Sequence, residues 1–179
     1  MFFYKFIGIS MKKYIFALAL LAITLLVSCS DSSDFTTKVL TRPDIPGIPG
    51  FSWFELKVNV YKPDLTLISD IKTLVKPKHS FYFFAAPSCG CDSTQDAFPE
   101  GVKVLQDLGV DMNTNCKFIV MKNETAENPF KDNFKVEKLP EIYLVVDGLP
   151  VYSIAKTLRG MPKNTPIESV ILEAIKANL

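Results

Sequence analysis

Cys89 and Cys91, separated only by Gly90, are the residues of this chain whose type and spacing best suit chemistry. A thiolate attacks disulfide sulfur and also ligates soft metal ions, and a second thiolate two residues on can complete either task. As an exchange pair, Cys89 attacks and Cys91 resolves the mixed disulfide. Closing so small a ring strains the bond and raises its reduction potential, which favours an oxidising or isomerising pair over a strong reductant. As a metal pair, the two sulfurs suit Cu(I) with Asp92 as an oxygen donor, whereas a closed zinc site wants four ligands at wider spacing. A third reading is a permanent disulfide or an inert remnant on a binding module. None of the three calls for a diffusible cofactor.

Other chemistries find little in the chain. The single histidine, His79, and a further cysteine, Cys116, fall at the opposite edge of the expected sheet from Cys89, about 20 Å away over six strand residues. No serine or cysteine nucleophile therefore has a histidine base. Cys116 reads as a buried, reduced core residue and His79 as an ordinary surface or loop histidine. Only eight glycines occur, with no phosphate-cradling run among them, and the carboxylates are scattered. Twenty basic against nineteen acidic side chains leave no field for a polyanion, so nucleic acid is not an expected partner.

Particular elements must hold the cysteine pair. Residues 81–86, Phe-Tyr-Phe-Phe-Ala-Ala, form a short apolar run suited to a strand buried on both faces, and the pair follows its carboxyl end. After Cys91, the spacing of Ala97, Phe98, Val102, Leu105 and Leu108 predicts a helix that Pro99 and Gly101 should kink or divide. Its N-terminus, with unpaired N–H groups, favours a thiolate at Cys89. Upstream, residues 54–61 alternate apolar and polar as a half-buried strand does, and Asp64 can cap a helix carrying Leu65, Ile68, Ile71, Leu74 and Val75. Downstream come a second apolar strand over 116–121 and a short helix opened by Asn128-Pro129 with Phe130 and Phe134. A hairpin over 141–154 turns at Asp147-Gly148, and a last helix begins at a Thr165-Pro166-Ile167-Glu168 capping box. Helices between the first strands imply parallel pairing there, and the two-residue turn makes the last pair antiparallel. An α/β domain with a central mixed sheet and helices on both faces is expected.

The N-terminus reads separately. Lys12-Lys13, the apolar residues 14–27 and then a small residue make a secretory signal rather than a membrane span, with Met11 a natural start. Leu26-Val27-Ser28-Cys29 resembles the bacterial lipobox, whose cysteine carries the lipid. The resemblance implies a signal peptide over 1–28, lipidation at Cys29 and a place in the cell envelope, the outer membrane being favoured by Ser30. Residues 29–50, rich in Ser, Thr, Asp, Pro and Gly, are expected to be a flexible tether. About twenty such residues would hold a domain over 51–179 roughly 25 Å from the bilayer, and about 70 Å at most.

Over residues 51–179 this order resembles the thioredoxin-like fold, a three-layer α/β/α sandwich ending in a β-hairpin and helix. That family's strand ends in an aromatic-Ala segment and Trp-Cys-Gly-Pro-Cys, matched here by Phe84-Ala85-Ala86-Pro87-Ser88-Cys89-Gly90-Cys91. Its cis-proline segment is matched by Val136-Glu137-Lys138-Leu139-Pro140-Glu141, followed by Asp147-Gly148. The resemblance implies thiol exchange with protein substrates and a redox partner to reset the pair, and a monomer is expected. It implies a substrate groove of Pro140, Leu139, Ser88 and Gly90, where the Leu139 backbone pairs with an extended peptide. The chain departs from the family where Asp92 replaces the second cysteine, Ser88 the tryptophan, Phe83 a buried aspartate and Glu141 a threonine. The alternative is a noncatalytic binding module or a Cu(I)-handling lipoprotein using Cys89 and Cys91.

Overall fold

His79–Ala85 forms the middle strand, β2, of a five-stranded mixed sheet. In the computed structural model, which describes residues 35–87 and 92–179, the other strands are β1 (Lys38–Leu40), β3 (Cys116–Val120), β4 (Glu141–Val146) and β5 (Leu149–Ser153), in the order β1-β3-β2-β4-β5. β2 and β3 run parallel, while β4 is antiparallel to β2 and β5 antiparallel to β4. Asp147 and Gly148 both take positive φ (50° and 84°), as a tight two-residue hairpin turn demands. Phe81, Phe83 and Phe84 are buried, so β2 is covered on both faces as its unbroken apolar run predicts.

Among the described residues, five α-helices accompany the sheet: α1 (Phe54–Val60), α2 (Leu65–Leu74), α3 (Asp92–Leu108), α4 (Ile154–Gly160) and α5 (Ile167–Lys176). They pack on one another as a single layer, α1 on α3, α2 on α3 and α5, and α4 on α5. Gly101 of α3 lets this layer close on the sheet, since a Cβ there would lie 3.2 Å from both Phe83 and Ile142. The opposite face carries no helix among the described residues. Phe84, Ile119 and Val145 on that face are covered by Met121, Phe134 and Leu139, with Tyr82 stacked on Phe134 at 4.9 Å. The expected three-layer sandwich is thus a helix layer, a sheet and an irregular cover. The short helix expected after Asn128-Pro129 is a set of turns: Asn128 accepts the Phe130 N–H at 2.9 Å, and the Phe134 N–H reaches the Phe130 carbonyl at 3.0 Å. Two phenylalanines four apart can face the sheet from one turn, so a longer helix is not needed to bury them.

Three further expectations are corrected. Residues 54–60 form α1 instead of a strand. Phe54 and Val58 are buried at a spacing of four, which satisfies both the strand and the helix period, while Leu56 and Val60 are 67% and 65% exposed. The expected tether over 29–50 is ordered structure from Lys38 onward, where β1 pairs with β3 and Arg42–Gly47 forms a 3-10 helix that buries Ile45. Asp44 accepts from the Thr41 N–H at 3.0 Å, and Arg42 forks onto Glu55 at 2.6 and 3.0 Å. Of the two outcomes expected at Pro99 and Gly101, division does not occur: α3 is continuous from Asp92 to Leu108, with Pro99 inside it.

The caps divide in the same way. Asp64 accepts from the N–H groups of Thr66 (2.8 Å) and Leu67 (3.2 Å), as read from the sequence. Glu168 does not reach back to Thr165. Its carboxylate instead accepts from the Tyr61 hydroxyl and the Asp64 N–H, each at 2.7 Å, tying the start of α5 to the α1–α2 link.

Candidate functional site

The parallel strand β2 sends the chain out at its carboxyl end through Ala86 and Pro87, and β4 starts at the same place. Phe84 stands opposite Glu141 in the antiparallel register, so Pro140 reaches the sheet edge that Pro87 leaves. The Leu139–Pro140 bond is cis. Ser88, Cys89, Gly90 and Cys91 lie outside the described residues, as does Cys29; the described residues that flank the pair are Pro87 and Asp92, the first residue of α3.

Pro87 is braced from an unexpected side. Gly50 adopts φ +95°, and a Cβ on it would fall 2.5 Å from the Pro87 carbonyl oxygen. The segment expected to be the end of a tether is therefore packed against the residue that precedes the cysteine loop.

The other flank is held by charge. Glu141, only 2% exposed, takes the Arg159 Nη2 donor on Oε2 at 2.9 Å and the Ser153 hydroxyl and the Ile142 N–H on Oε1 at 2.8 and 3.0 Å. The other Arg159 nitrogen, Nη1, donates to the Pro140 carbonyl at 2.8 Å. One guanidinium thus positions both the proline and the residue after it. Sequence reasoning marked Glu141 as a departure but had no signal for Arg159, which comes from α4, an element the strand-like run over 149–154 concealed. Leu139 is buried in the cover of the sheet, and among the described residues its N–H and C=O have no partner. No family model, curated protein or solved structure matches this chain.

A cavity of about 810 Å³ opens beside Pro140, between α3, α4 and the loop after α4. Asp96, Glu100 and Glu168 line it, and Lys57 of α1 binds Asp96 at 2.9 Å. Burial, with Asp96 and Glu168 nearby, pushes the Glu100 carboxyl up to about 7.

Cys116 and His79 lie at the far edge, where Cys116 pairs with Phe81 in the parallel register. The Cys116 thiol is pushed up to about 12 by burial, so it is inert. His79 corrects the surface or loop reading, being 1% exposed at the first position of β2. Its Nδ1 accepts the Lys76 N–H at 3.1 Å, and burial, helped by Lys78, holds it below the ordinary value of 6.5. The unfolded chain takes up this proton near 6.5 and the folded chain only at lower pH. The group's contribution is therefore complete above 6.5 and is lost as pH falls through the folded value. In chemical denaturation, the wild type should lose stability relative to His79→Asn between pH 7.5 and 5.5, by some fraction of the roughly 1.4 kcal/mol per pH unit that one proton allows. Glu100 titrates in the opposite sense over this window and cancels in the comparison. A constant difference would show that His79 does not titrate out of register with the unfolded chain.

Proposed function

We propose that this chain is a thioredoxin-like lipoprotein of the bacterial cell envelope, anchored through Cys29, that exchanges protein thiols and disulfides through Cys89 and Cys91. The observation that carries the reading is the shared edge: β2 ends, just before the cysteine segment in sequence, where Pro140 leads into β4. The parallel β2–β3 pair, the antiparallel hairpin and the cis bond at Pro140 add support, being what the resemblance requires. Against the family pattern stand an antiparallel β1 and the helix-free cover over 121–139.

In the exchange, the Cys89 thiolate attacks one sulfur of a substrate disulfide, and the other sulfur leaves as a thiolate that takes a proton from water. Cys91, as thiolate, then attacks the Cys89 sulfur, releasing the second substrate thiol and leaving a Cys89–Cys91 disulfide. The substrate is reduced by two electrons and the pair oxidised by two. The reverse sequence oxidises a substrate dithiol, and in either direction a partner dithiol or disulfide restores the starting state. An extended substrate segment would lie along Leu139, whose backbone groups have no partner among the described residues and could pair with it as a strand does.

Thiol labelling across a series of redox buffers, together with substrate trapping, tests this. Cys91→Ser should accumulate mixed disulfides with envelope proteins and Cys89→Ser should not. Stoichiometric Cu(I) binding lost in either variant, without exchange activity, would instead assign the pair to metal handling. Full cellular function with both cysteines changed to serine would leave only a binding role.

A further inference from the structure

The cavity beside Pro140 has the volume and the mixed apolar and acidic lining to take a long, charged-tipped side chain. Its volume of about 810 Å³ lies within the range of ligand pockets, and among the described residues no three His, Cys, Asp or Glu side chains come together as a metal site. Its walls include the apolar side chains of Ala97, Leu158, Met161 and Pro166. Its carboxyls come from three places: Asp64 of the α1–α2 link, Asp96 and Glu100 of α3, and Glu168 of α5. Three of the four are already engaged: Asp64 by the Thr66 and Leu67 N–H groups, Asp96 by Lys57, and Glu168 by the Tyr61 hydroxyl and the Asp64 N–H. Glu100 accepts no hydrogen bond from any described residue, and the nearby carboxyls make an arriving cation welcome there.

Arg159 also lines the cavity, but its charge is taken up by Glu141. Lys62 and Lys163 stand exposed at the rim. A side chain with an aliphatic stem and a cationic tip matches such a space, since the stem packs on the apolar walls while the tip reaches the carboxyl.

We propose that the cavity receives a lysine or arginine side chain of an extended peptide lying along the Pro140 edge, with its cationic tip on Glu100. This rests on the reading that peptide substrates use that edge, and it names their class: proteins with a basic residue near the exchanged cysteine. Binding should be linked to protons. The groups facing Glu100 are Asp96 on its own helix, Glu168 from α5, Lys57 from α1 and Tyr61 from the α1–α2 link. The first two hold its proton on near neutrality and Lys57 opposes them. A cation that binds the ionised form must displace that proton, so affinity falls as pH drops below about 7.

The test uses the full chain carrying Cys89→Ser and Cys91→Ser, so that no covalent step intervenes. The probe is acetyl-Gly-Val-Arg-Val-Gly-amide, compared by calorimetry with the same peptide carrying citrulline, which keeps the shape and removes the charge. The arginine peptide should bind about tenfold more tightly at pH 8, the size expected of one charge-assisted contact. That advantage should fall by up to about tenfold at pH 6, where roughly one Glu100 in ten is ionised. Glu100→Gln, which removes a half-buried charge and should fold at least as well, should abolish both the discrimination and its pH dependence. Equal binding of the two peptides, or discrimination that survives in Glu100→Gln, overturns the proposal. Because the assay involves no thiol chemistry, it can fail while substrate trapping succeeds, and it can succeed while trapping fails.

Discussion

Arg159→Ala should cost the domain roughly 3 kcal/mol, a large share of the 5–15 kcal/mol typical of a domain. The alanine leaves the Glu141 carboxylate buried without its counter-charge and the Pro140 carbonyl without its donor. Breaking a buried pair from one side ordinarily costs 3–5 kcal/mol. The lower figure applies because Arg159 is 23% exposed and because Ser153 and the Ile142 N–H still satisfy Oε1. Urea denaturation of Arg159→Ala and of the double variant Glu141→Leu/Arg159→Met separates charge from packing. The apolar double variant should regain most of the loss, since removing both charges removes the desolvation penalty with them. A change below about 0.5 kcal/mol in Arg159→Ala would show that the guanidinium holds neither neighbour in solution.

Gly50→Ala is the second large effect. At φ +95° a Cβ is disfavoured whatever surrounds it, and here it would also sit 2.5 Å from the Pro87 oxygen and 3.0 Å from the Pro87 carbonyl carbon, both backbone atoms. Relief requires a shift of the strand exit or of the whole 48–51 turn, at an expected cost of roughly 2–3 kcal/mol. Gly47→Ala is the matched control: nothing lies within 4 Å of its Cβ, and it should be nearly neutral. Because Pro87 adjoins the cysteine segment, the rate of Cys89 alkylation should also change in Gly50→Ala and not in Gly47→Ala. Matching stabilities for the two would mean that the turn does not bear on Pro87.

What the sequence made legible is what short-range physics decides. The apolar run of β2, the Asp64 cap, the Asp147-Gly148 turn and the inward face of α5, with Ile167, Val170, Ile171, Ala174 and Ile175 all buried, each follow from neighbours a few residues apart. Where two periods coincide, the pattern carries no decision. Phe54 and Val58 fit strand and helix alike, and only the aromatic cluster they join, with Phe98 4.9 Å from Phe54, favours the helix. Residues 38–50 escaped notice because β1 has three residues and one buried side chain, Ile45, anchors the turn that follows; composition averages out so small a commitment. At the site, the meeting of Pro87 and Pro140 could be reasoned from strand direction. The contacts of Glu168 with Tyr61 and Asp64, and of Arg159 with Pro140, span 107, 104 and 19 residues and depend on the finished fold.

The early start of the folded region changes what an anchor at Cys29 would do. With β1 beginning at Lys38, eight residues, 30–37, separate Cys29 from the sheet, and a fully extended run of that length would span roughly 28 Å instead of about 70 Å. The volume such a leash can sweep shrinks with the cube of its length, to about one-sixteenth. Partners at the membrane surface would therefore meet the domain at a correspondingly higher effective concentration, while those farther away would not meet it at all. Lengthening the leash with a flexible insert before Lys38 would exchange local efficiency for reach.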